Sequence, residues 1–453
     1  MAPPAPPPTP PHPSPPILTP PLFSSVYSRL SSYQYYGTFE LGSPPVKYTG
    51  CFDTGSADTW LPAGACANPS CLTHTRFEPR SSSTYQTLNA PFQITYGTGS
   101  VAGFVGSDVL TLGDTPGGPK LSVVNQGFGI VFDSSMDFLS ASCDGLFGLA
   151  FPELSEMQVN PAFFNMMRQE VLDEDIFGLW LSADPAQEPA GVLTFGAADK
   201  AHYHGELEWV PVSEKAYWTV PMSGGSVGST ALPLAAKAAI LDSGTTAILM
   251  SDADAARLHR AIPGVAFNPA GGYYNITGGC AAVPSLPDIG FTLGGTTYTI
   301  PPRLWTQQVP NPAGGINCIS GIIPGGDSNS IILGDNFLRA WYTAYKYDRA
   351  THTASVGFAL PKDVELEAPS PEIQAVTVES ASAAAASRDG LLSSAASTGG
   401  SGSDAPQHRG RDWFPAMRPF RLGPIEIVPG SSRYDLAPKP QHALNSEDAM
   451  SAP

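Results

Sequence analysis

The stretch Cys51-Phe52-Asp53-Thr54-Gly55-Ser56 decides the fold, because its acidic turn recurs in the second half of the chain. The triplet Asp53-Thr54-Gly55 returns 189 positions later as Asp242-Ser243-Gly244, and a hydroxyl residue follows each copy. A single Asp-Thr-Gly triplet is usually a turn in which the Asp side chain bonds its own backbone. Two matched copies instead indicate a duplicated chain that brings two carboxylates together.

A second repeated signal accompanies the acidic turns. Leu146-Phe147-Gly148 ends 95 residues after Asp53, and Ile332-Leu333-Gly334 ends 92 residues after Asp242. Each half therefore contains an acid, a spacer of nearly constant length, and two apolar residues followed by glycine. We expect these strands to pack beside the acidic loops, where Gly148 and Gly334 allow a close approach of the backbone.

The composition favours a mostly β protein of two lobes. At 453 residues the chain exceeds what a single core usually supports. Only 14% of residues are charged, whereas 46 are Gly and 47 are Pro, which is typical of short strands joined by turns. Alternating apolar and polar residues run from Tyr33 to about Ala359, and only residues 161–170 and 251–262 predict helices.

The two ends of the chain differ from this middle part. Twelve of the first 21 residues are Pro, so residues 1–30 predict a disordered, extended segment. Residues 363–453 are rich in Ser, Ala, Gly and Pro and predict a disordered low-complexity tail. Between them we expect an N-terminal lobe over residues 31–205 and a C-terminal lobe over residues 206–362.

Charge and hydropathy exclude two classes of protein. The formal net charge of −17 argues against nucleic acid as a partner, since its phosphates would be repelled. No run of 18 apolar residues exists, so no membrane span is expected. The six cysteines and eight histidines form no cluster with zinc-finger spacing, and we expect neither a metal nor a cofactor.

Paired carboxylates are suited to peptide hydrolysis. Two carboxyl groups about 3 Å apart cannot both ionise, so they share one proton. The ionised group can then take a proton from water while the other protonates the carbonyl oxygen. Ser56 and Thr245, each three residues after its acid, can hydrogen-bond and orient the carboxylates. The glycines at 55 and 244 allow the backbone to turn tightly beneath them.

The region from Tyr36 to Ala359 resembles the pepsin-type aspartic endopeptidases (family A1, fungal type). Four motifs support the resemblance: the two acidic loops, the stretch Ile94-Thr95-Tyr96-Gly97-Thr98-Gly99-Ser100, which resembles the flap hairpin, and Ile331 to Leu338, which resembles the strand beside the second loop. A shared proton is the established behaviour of the two carboxyl groups in that class of enzyme. The resemblance implies two pseudo-symmetric, β-barrel-like lobes with a few short helices, and hydrolysis between hydrophobic residues at acidic pH.

The resemblance also assigns roles to individual residues. It implies that Asp53 and Asp242 are the catalytic pair, and that the supporting residues of their loops are Thr54, Gly55, Ser56, Ser243, Gly244 and Thr245. It implies that the residues contacting substrate are Tyr96, Gly97, Thr98, Trp60 and Leu146. Ser243 stands where threonine is more usual and keeps the hydroxyl. Alternatively, Tyr96 is an exposed hairpin aromatic and Trp60 an ordinary core residue. Asp137 and Phe138 could shape the same pocket, but the local match is too loose to assign them.

The resemblance implies the disulfides Cys66–Cys71 and Cys280–Cys318. Cys51 and Cys143 occupy positions where relatives carry apolar residues that touch in the primary substrate pocket. We therefore hypothesise a third disulfide on the wall of that pocket; two buried free thiols are the alternative.

The disulfides and a weak N-glycosylation signal at Asn275-Ile276-Thr277 favour a secreted or vacuolar protein. No signal peptide is visible, and Arg29 is the only Lys or Arg before Tyr35, so the basic prosegment of the family is missing too. We expect a truncated N-terminus; a non-classical or intracellular form is the alternative.

The expected function is therefore an aspartic endopeptidase, a monomer, acting on extended peptides or unfolded proteins. A non-catalytic peptide-binding or inhibitor-like protein on the same fold is the first alternative, although such proteins usually lose an active-site acid or the flap tyrosine. A structural or adhesive protein that uses the two biased ends is the second.

Overall fold

A computed structural model describes residues 23–31, 34–97, 99–113, 119–184, 187, 189–311 and 314–364, with side chains from Tyr35 onward. The predictions for residues 1–22, for Thr98 and for residues 365–453 lie outside the described residues.

The described chain is mostly β, as predicted. The strands of its first half are β1 Phe23–Ser31, β2 Gln34–Leu41, β3 Val46–Asp53, β4 Trp60–Pro62, β5 Gln86–Tyr96, β6 Gly99–Leu112, β7 Leu121–Ser134, β8 Gly145–Gly148, β9 Ile176–Leu181 and β10 Gly191–Phe195. The strands of its second half are β11 Glu208–Pro211, β12 Glu214–Lys215, β13 Trp218–Val227, β14 Thr230–Leu232, β15 Ala238–Leu241, β16 Ile248–Leu249, β17 Val265–Asn268, β18 Tyr273–Ile276, β19 Ile289–Leu293, β20 Thr296–Ile300, β21 Thr306–Pro310, β22 Ile316–Ser320, β23 Ile322–Ile323, β24 Ser330–Leu333, β25 Tyr342–Asp348 and β26 Thr353–Ala359.

Helices are few and short. The α-helices are α1 Pro69–Leu72, α2 Ala162–Arg168, α3 Asp252–Arg260, α4 Pro302–Trp305 and α5 Asp335–Leu338. Short 3-10 helices span Pro79–Ser81, Met136–Ser140, Pro152–Leu154 and Gly279–Ser285. The two predicted helices correspond to α2 and α3, and the Ser251 side chain caps α3 by accepting from the Asp254 amide. Within the described residues, no helix is long and apolar enough to cross a membrane.

The strands form three sheets. The largest runs β11-β26-β25-β9-β10-β1-β2-β3-β8-β4-β7-β6-β5. A second runs β20-β19-β13-β15-β24-β16-β23, with β12 and β14 paired to β13, and a third runs β17-β18-β22-β21. Antiparallel pairing of β9 with β25 makes one continuous sheet from strands of both halves of the chain. The two halves are therefore joined through the backbone of the largest sheet.

The repeat in the sequence is also a repeat in topology. β3, which ends at Asp53, pairs parallel with β8, and β15, which ends one residue before Asp242, pairs parallel with β24. In each half a short strand then pairs antiparallel with the second strand of this parallel pair: β4 pairs with β8, and β16 pairs with β24. The acidic loops therefore occupy equivalent places in two similar sets of strands.

The core is apolar and rich in aromatic residues. Trp218, Phe177 and Tyr345 pack together, with Phe177 and Tyr345 stacked at 4.6 Å between ring centroids. The Trp218 indole donates to the Leu149 carbonyl oxygen at 2.9 Å, which ties β13 to the end of β8. This packing fixes the strands that end at the two acidic loops.

Two predicted boundaries are corrected. Residues 23–30 are not part of a disordered segment: they lie in β1, which pairs with both β10 and β2. This stretch contains no proline and includes Phe23, Val26 and Tyr27, so its composition suits a paired strand. At the other end the packed chain extends past residue 362, because Val364 is buried and Asp363 accepts from the Trp180 indole at 3.0 Å.

Candidate active site

The two acidic loops lie against each other. A methyl group built on Gly55 would overlap the carboxylate of Asp242, and one built on Gly244 would overlap that of Asp53. Each carboxyl group therefore lies against the backbone of the opposite loop. Only glycine leaves room for this approach.

Matching hydrogen bonds orient the two carboxylates. Asp53 Oδ1 accepts from the Gly55 amide at 2.8 Å, and its Oδ2 accepts from the Ser56 hydroxyl at 2.5 Å. Asp242 Oδ1 accepts from the Gly244 amide at 2.8 Å, and its Oδ2 accepts from the Thr245 hydroxyl at 2.6 Å. The two acids thus have the same local geometry, as the repeated sequence implies.

Thr54 and Ser243 connect the loops to each other. The Thr54 hydroxyl donates to the Leu241 carbonyl oxygen at 2.8 Å, and the Ser243 hydroxyl donates to that of Phe52 at 2.8 Å. Each hydroxyl also accepts from the other residue's amide, at 2.9 and 3.0 Å. Serine at 243 makes both bonds, so the absent methyl group does not disturb the connection.

Burial and charge favour one retained proton. Asp53 is 6% exposed and Asp242 is 9% exposed. Burial and the negative charge of Asp242 raise the pKa of Asp53, and the bonds from Ser56 and Gly55 offset part of this effect. A hydrogen bond between the two carboxyl groups also raises the pKa of Asp53. The pair therefore keeps a proton at a pH where an isolated Asp would be ionised.

The strands beside the acidic loops approach them closely. A methyl group on Gly148 would overlap the backbone of Ala57 and Asp58, and one on Gly334 would overlap the Thr245 carbonyl oxygen. The structure thus places both glycines where the sequence pattern predicts them.

Tyr96 and Trp60 form one wall of the site. The Trp60 indole donates to the Tyr96 hydroxyl at 2.8 Å, and Trp60 is 4% exposed. Leu146 is half-buried and packs against the same cluster, which contains Phe92, Ile94 and Met157. Gly97 is exposed, and a methyl group there would meet no atom within 4 Å. Tyr96 is thus held by both packing and a hydrogen bond.

Phe138 belongs to this wall, although the sequence could not assign it. Its ring packs edge-on against Trp60 at 5.3 Å and Tyr96 at 6.1 Å between centroids. The neighbouring Asp137 is exposed. Phe138 therefore forms an aromatic cluster with Trp60 and Tyr96.

Two further residues near the site escaped sequence analysis. Burial, followed by the negative charges of Asp242 and Asp53, raises the pKa of Tyr217. Asp58 is buried and accepts from the Ser155 hydroxyl at 2.6 Å and the Glu156 amide at 2.8 Å. Tyr217 immediately precedes β13, and no local sequence signal points to either residue.

The cysteines form three disulfides: Cys51–Cys143, Cys66–Cys71 and Cys280–Cys318. Among the described residues no cysteine is free and no group of side chains suited to a metal ion occurs. Asn275 lies in β18 with an exposed side chain, between β17 and β22.

Comparison with known proteins agrees with this geometry. The sequence profile described as "Eukaryotic aspartyl protease" matches residues 34–360. The chain is 35% identical to pepsin A of Canis lupus familiaris over 332 residues, which is 72% of this chain and 81% of the relative. It is 34% identical to cathepsin E of Mus musculus over 350 residues (75% and 84%) and 36% identical to cathepsin D of Chionodraco hamatus over 337 residues (73% and 81%).

Proposed function

Because the chain belongs to the eukaryotic aspartyl protease family, and is an aspartic endopeptidase, we propose that Asp53 and Asp242 are its catalytic pair. A water molecule between the two carboxyl groups attacks the scissile carbonyl carbon. The ionised carboxyl takes a proton from this water, and the protonated one gives its proton to the carbonyl oxygen. The carboxyl that took the proton from water then passes it to the leaving nitrogen, and the other carboxyl takes back a proton from a hydroxyl of the tetrahedral intermediate. The carbon–nitrogen bond breaks, and no bond to the enzyme forms.

One observation carries this proposal: each carboxylate lies against the opposite glycine and receives matched hydrogen bonds from its own loop. The hydrogen bonds within each loop orient the carboxylate of that loop. The cross-lobe bonds of Thr54 and Ser243 fix the distance between the two loops. Such preorganisation is what proton transfer at a bound substrate requires.

An acid-pH assay on an unfolded protein tests the mechanism. We expect cleavage that a statine-type inhibitor blocks and that Asp53→Asn reduces by roughly 10²- to 10⁴-fold, the range for general acid–base groups. Asp252→Asn, an exposed acid on α3, is the matched control and should retain activity. Undiminished cleavage by the Asp53→Asn variant would remove Asp53 from the mechanism.

The substrate we propose is an extended peptide or unfolded protein, cut between hydrophobic residues at acidic pH. The half-buried side chains of Leu146, Phe138 and Tyr96 supply an apolar surface beside the acids. The shared proton supports activity below neutral pH, since full ionisation of the pair removes the acid. Profiling cleavage sites in a peptide library by mass spectrometry tests the preference for bulky apolar side chains.

The remaining proposals concern the protein's location, glycosylation, oligomeric state and subtype within the family. Three disulfides support a secreted or vacuolar location in an oxidising compartment. The exposed Asn275 supports N-glycosylation there, which removal of the glycan and the resulting loss of mass would test. We also propose that the protein is a monomer, which sedimentation analysis would test. We further propose that it is of the fungal type within the family.

A further inference from the structure

Residues 135–143, here called the pocket segment, lie between the wall of the site and strand β3. The segment contains the 3-10 helix Met136–Ser140 and carries Phe138, whose ring contacts Trp60 and Tyr96. The position of this segment therefore bears directly on the position of the Tyr96 hydroxyl.

The N-terminal end of the pocket segment is bonded to strand β6. The Ser100 amide donates to the Ser135 hydroxyl at 3.1 Å, and the Ser135 amide donates to the Ser100 carbonyl oxygen at 2.9 Å. Ser100 lies directly after Gly99, which pairs with Tyr96 across the hairpin of β5 and β6. A shift of Ser135 is thus transmitted to the strand that faces Tyr96.

The C-terminal end of the segment is joined covalently to the strand that carries Asp53. Cys143 is 6% exposed and forms a disulfide with Cys51 of β3. Cys51 precedes Asp53 by two residues, so its side chain leaves the strand on the same face as that carboxylate. Cys51 is in register with Leu146, which packs against the same buried cluster as Phe138 and Tyr96.

Hydrogen bonds that do not depend on the disulfide also hold the backbone in and beside the pocket segment. The Asp144 carboxylate accepts from the Thr49 amide and hydroxyl, each at 2.8 Å, so β8 stays attached to β3. The Nε2 atom of His74 lies 3.0 Å from the Phe138 carbonyl oxygen, within the segment. Asp53 itself is oriented by hydrogen bonds from the Gly55 amide and the Ser56 hydroxyl. Loss of the disulfide should therefore loosen the C-terminal end of the pocket segment and leave the geometry of the two acids unchanged.

We propose that the Cys51–Cys143 disulfide is a positioning element for substrate binding: it fixes the pocket segment so that Phe138 holds Tyr96 against Trp60. The proposal rests on the endopeptidase function proposed above. It makes the disulfide a determinant of peptide affinity, with little effect on the proton transfers at Asp53 and Asp242.

The test compares two double variants that each remove one disulfide. In Cys51→Ala/Cys143→Ala we expect KM for a peptide with a bulky apolar residue at the cleavage site to rise about 10-fold, because a misplaced binding group costs affinity. We expect kcat to stay within about 2-fold and the pH profile of kcat to be unchanged. Cys280→Ala/Cys318→Ala is the matched control, since its disulfide joins two residues of the C-terminal half of the chain, outside the pocket segment and β3. Cys66–Cys71 is unsuitable because its loop leads to His74.

A second variant tests the proposal even if the variant without the disulfide does not fold. Ser135→Ala keeps the disulfide and removes the hydroxyl that accepts from Ser100, and should raise KM about 2- to 3-fold at constant kcat. The proposal is overturned if KM is unchanged in Cys51→Ala/Cys143→Ala, or if KM rises equally in Cys280→Ala/Cys318→Ala. If Cys51→Ala/Cys143→Ala does not fold, an unchanged KM in Ser135→Ala overturns it. Absence of inhibitor-sensitive cleavage by the wild type would instead refute the endopeptidase mechanism itself.

Discussion

Thr54 and Ser243 exchange hydrogen bonds between the two acidic loops, each hydroxyl accepting from the other residue's amide at 2.9 and 3.0 Å. The Thr54 side chain is fully buried and also donates to Leu241. One hydroxyl thus satisfies two backbone groups of the opposite loop. Removing it takes this partner away from the Leu241 carbonyl oxygen and from the Ser243 amide.

We predict that Thr54→Val, which keeps the shape and removes the hydroxyl, lowers the free energy of unfolding by about 1–3 kcal/mol. Activity should fall as well, because the spacing of the two acids depends on the same bonds. Chemical denaturation combined with kcat measurement checks both effects. Thr54→Ser, which retains the hydroxyl, is the control; if it loses as much activity as the Val variant, the methyl group matters instead.

The close approach of Gly244 to Asp53 gives a second prediction. A methyl group at position 244 would overlap the Asp53 carboxylate, so Gly244→Ala must displace one of them. We expect kcat to fall on the order of 10²-fold, as small misplacements of a reacting group do. Gly315→Ala, where the added methyl meets only the Asn311 side chain at 3.0 Å, should leave kcat unchanged. A fully active Gly244→Ala enzyme would contradict the observed packing of the two loops.

The bond between Trp60 and Tyr96 gives a third prediction. Trp60→Phe keeps most of the packing but removes the donor to the Tyr96 hydroxyl. We expect kcat/KM to fall up to about 10-fold, the equivalent of one hydrogen bond, mostly through KM. Adding Tyr96→Phe to this variant should cost little more, because both changes remove the same interaction. Additive losses in this double-mutant cycle would show that the bond is not what positions the ring.

The geometry of the acidic loops could be predicted because each relationship is local. Gly55 and Ser56 lie within three residues of the Asp53 carboxylate that they bind, and the repeat at Asp242 supplies the second copy. Alternating residues likewise predict strands wherever one face is buried. These signals act over a few residues and are visible in the sequence itself.

Long-range partners could not be predicted in the same way. Ser135 bonds Ser100, and Ser155 bonds Asp58, but nothing near those serines distinguishes them from other serines of the chain. The pairing of β9 with β25 similarly depends on which strands meet after the core has formed. The start of β1 was missed because the proline-rich residues before it dominated the local composition.

His259 is a buried histidine outside the site, in the last turn of α3. It is 2% exposed and stacks on Tyr274, with 3.6 Å between ring centroids. Its Nδ1 lies 2.7 Å from the Ala255 carbonyl oxygen, to which it donates, and its Nε2 lies 2.8 Å from the Ser320 hydroxyl, from which it accepts. Burial lowers the pKa of His259 to about 4, and the bond to Ala255 offsets only part of that effect.

We predict that His259 makes the protein less stable as the pH falls from about 6.5 to about 4. Its pKa is lower in the folded than in the unfolded state, so in this window only the unfolded chain takes up the proton and unfolding becomes more favourable. Above the window the ring is neutral in both states, and below it both bind the proton, so the loss levels off at roughly 3 kcal/mol. Urea unfolding at pH 7, 5.5 and 4.5, in an Asp53→Asn background that prevents self-digestion, measures the slope. His259→Gln should flatten that slope, while His204→Gln, at an exposed histidine, should not. An unchanged slope in the His259 variant would show that other groups govern stability in acid.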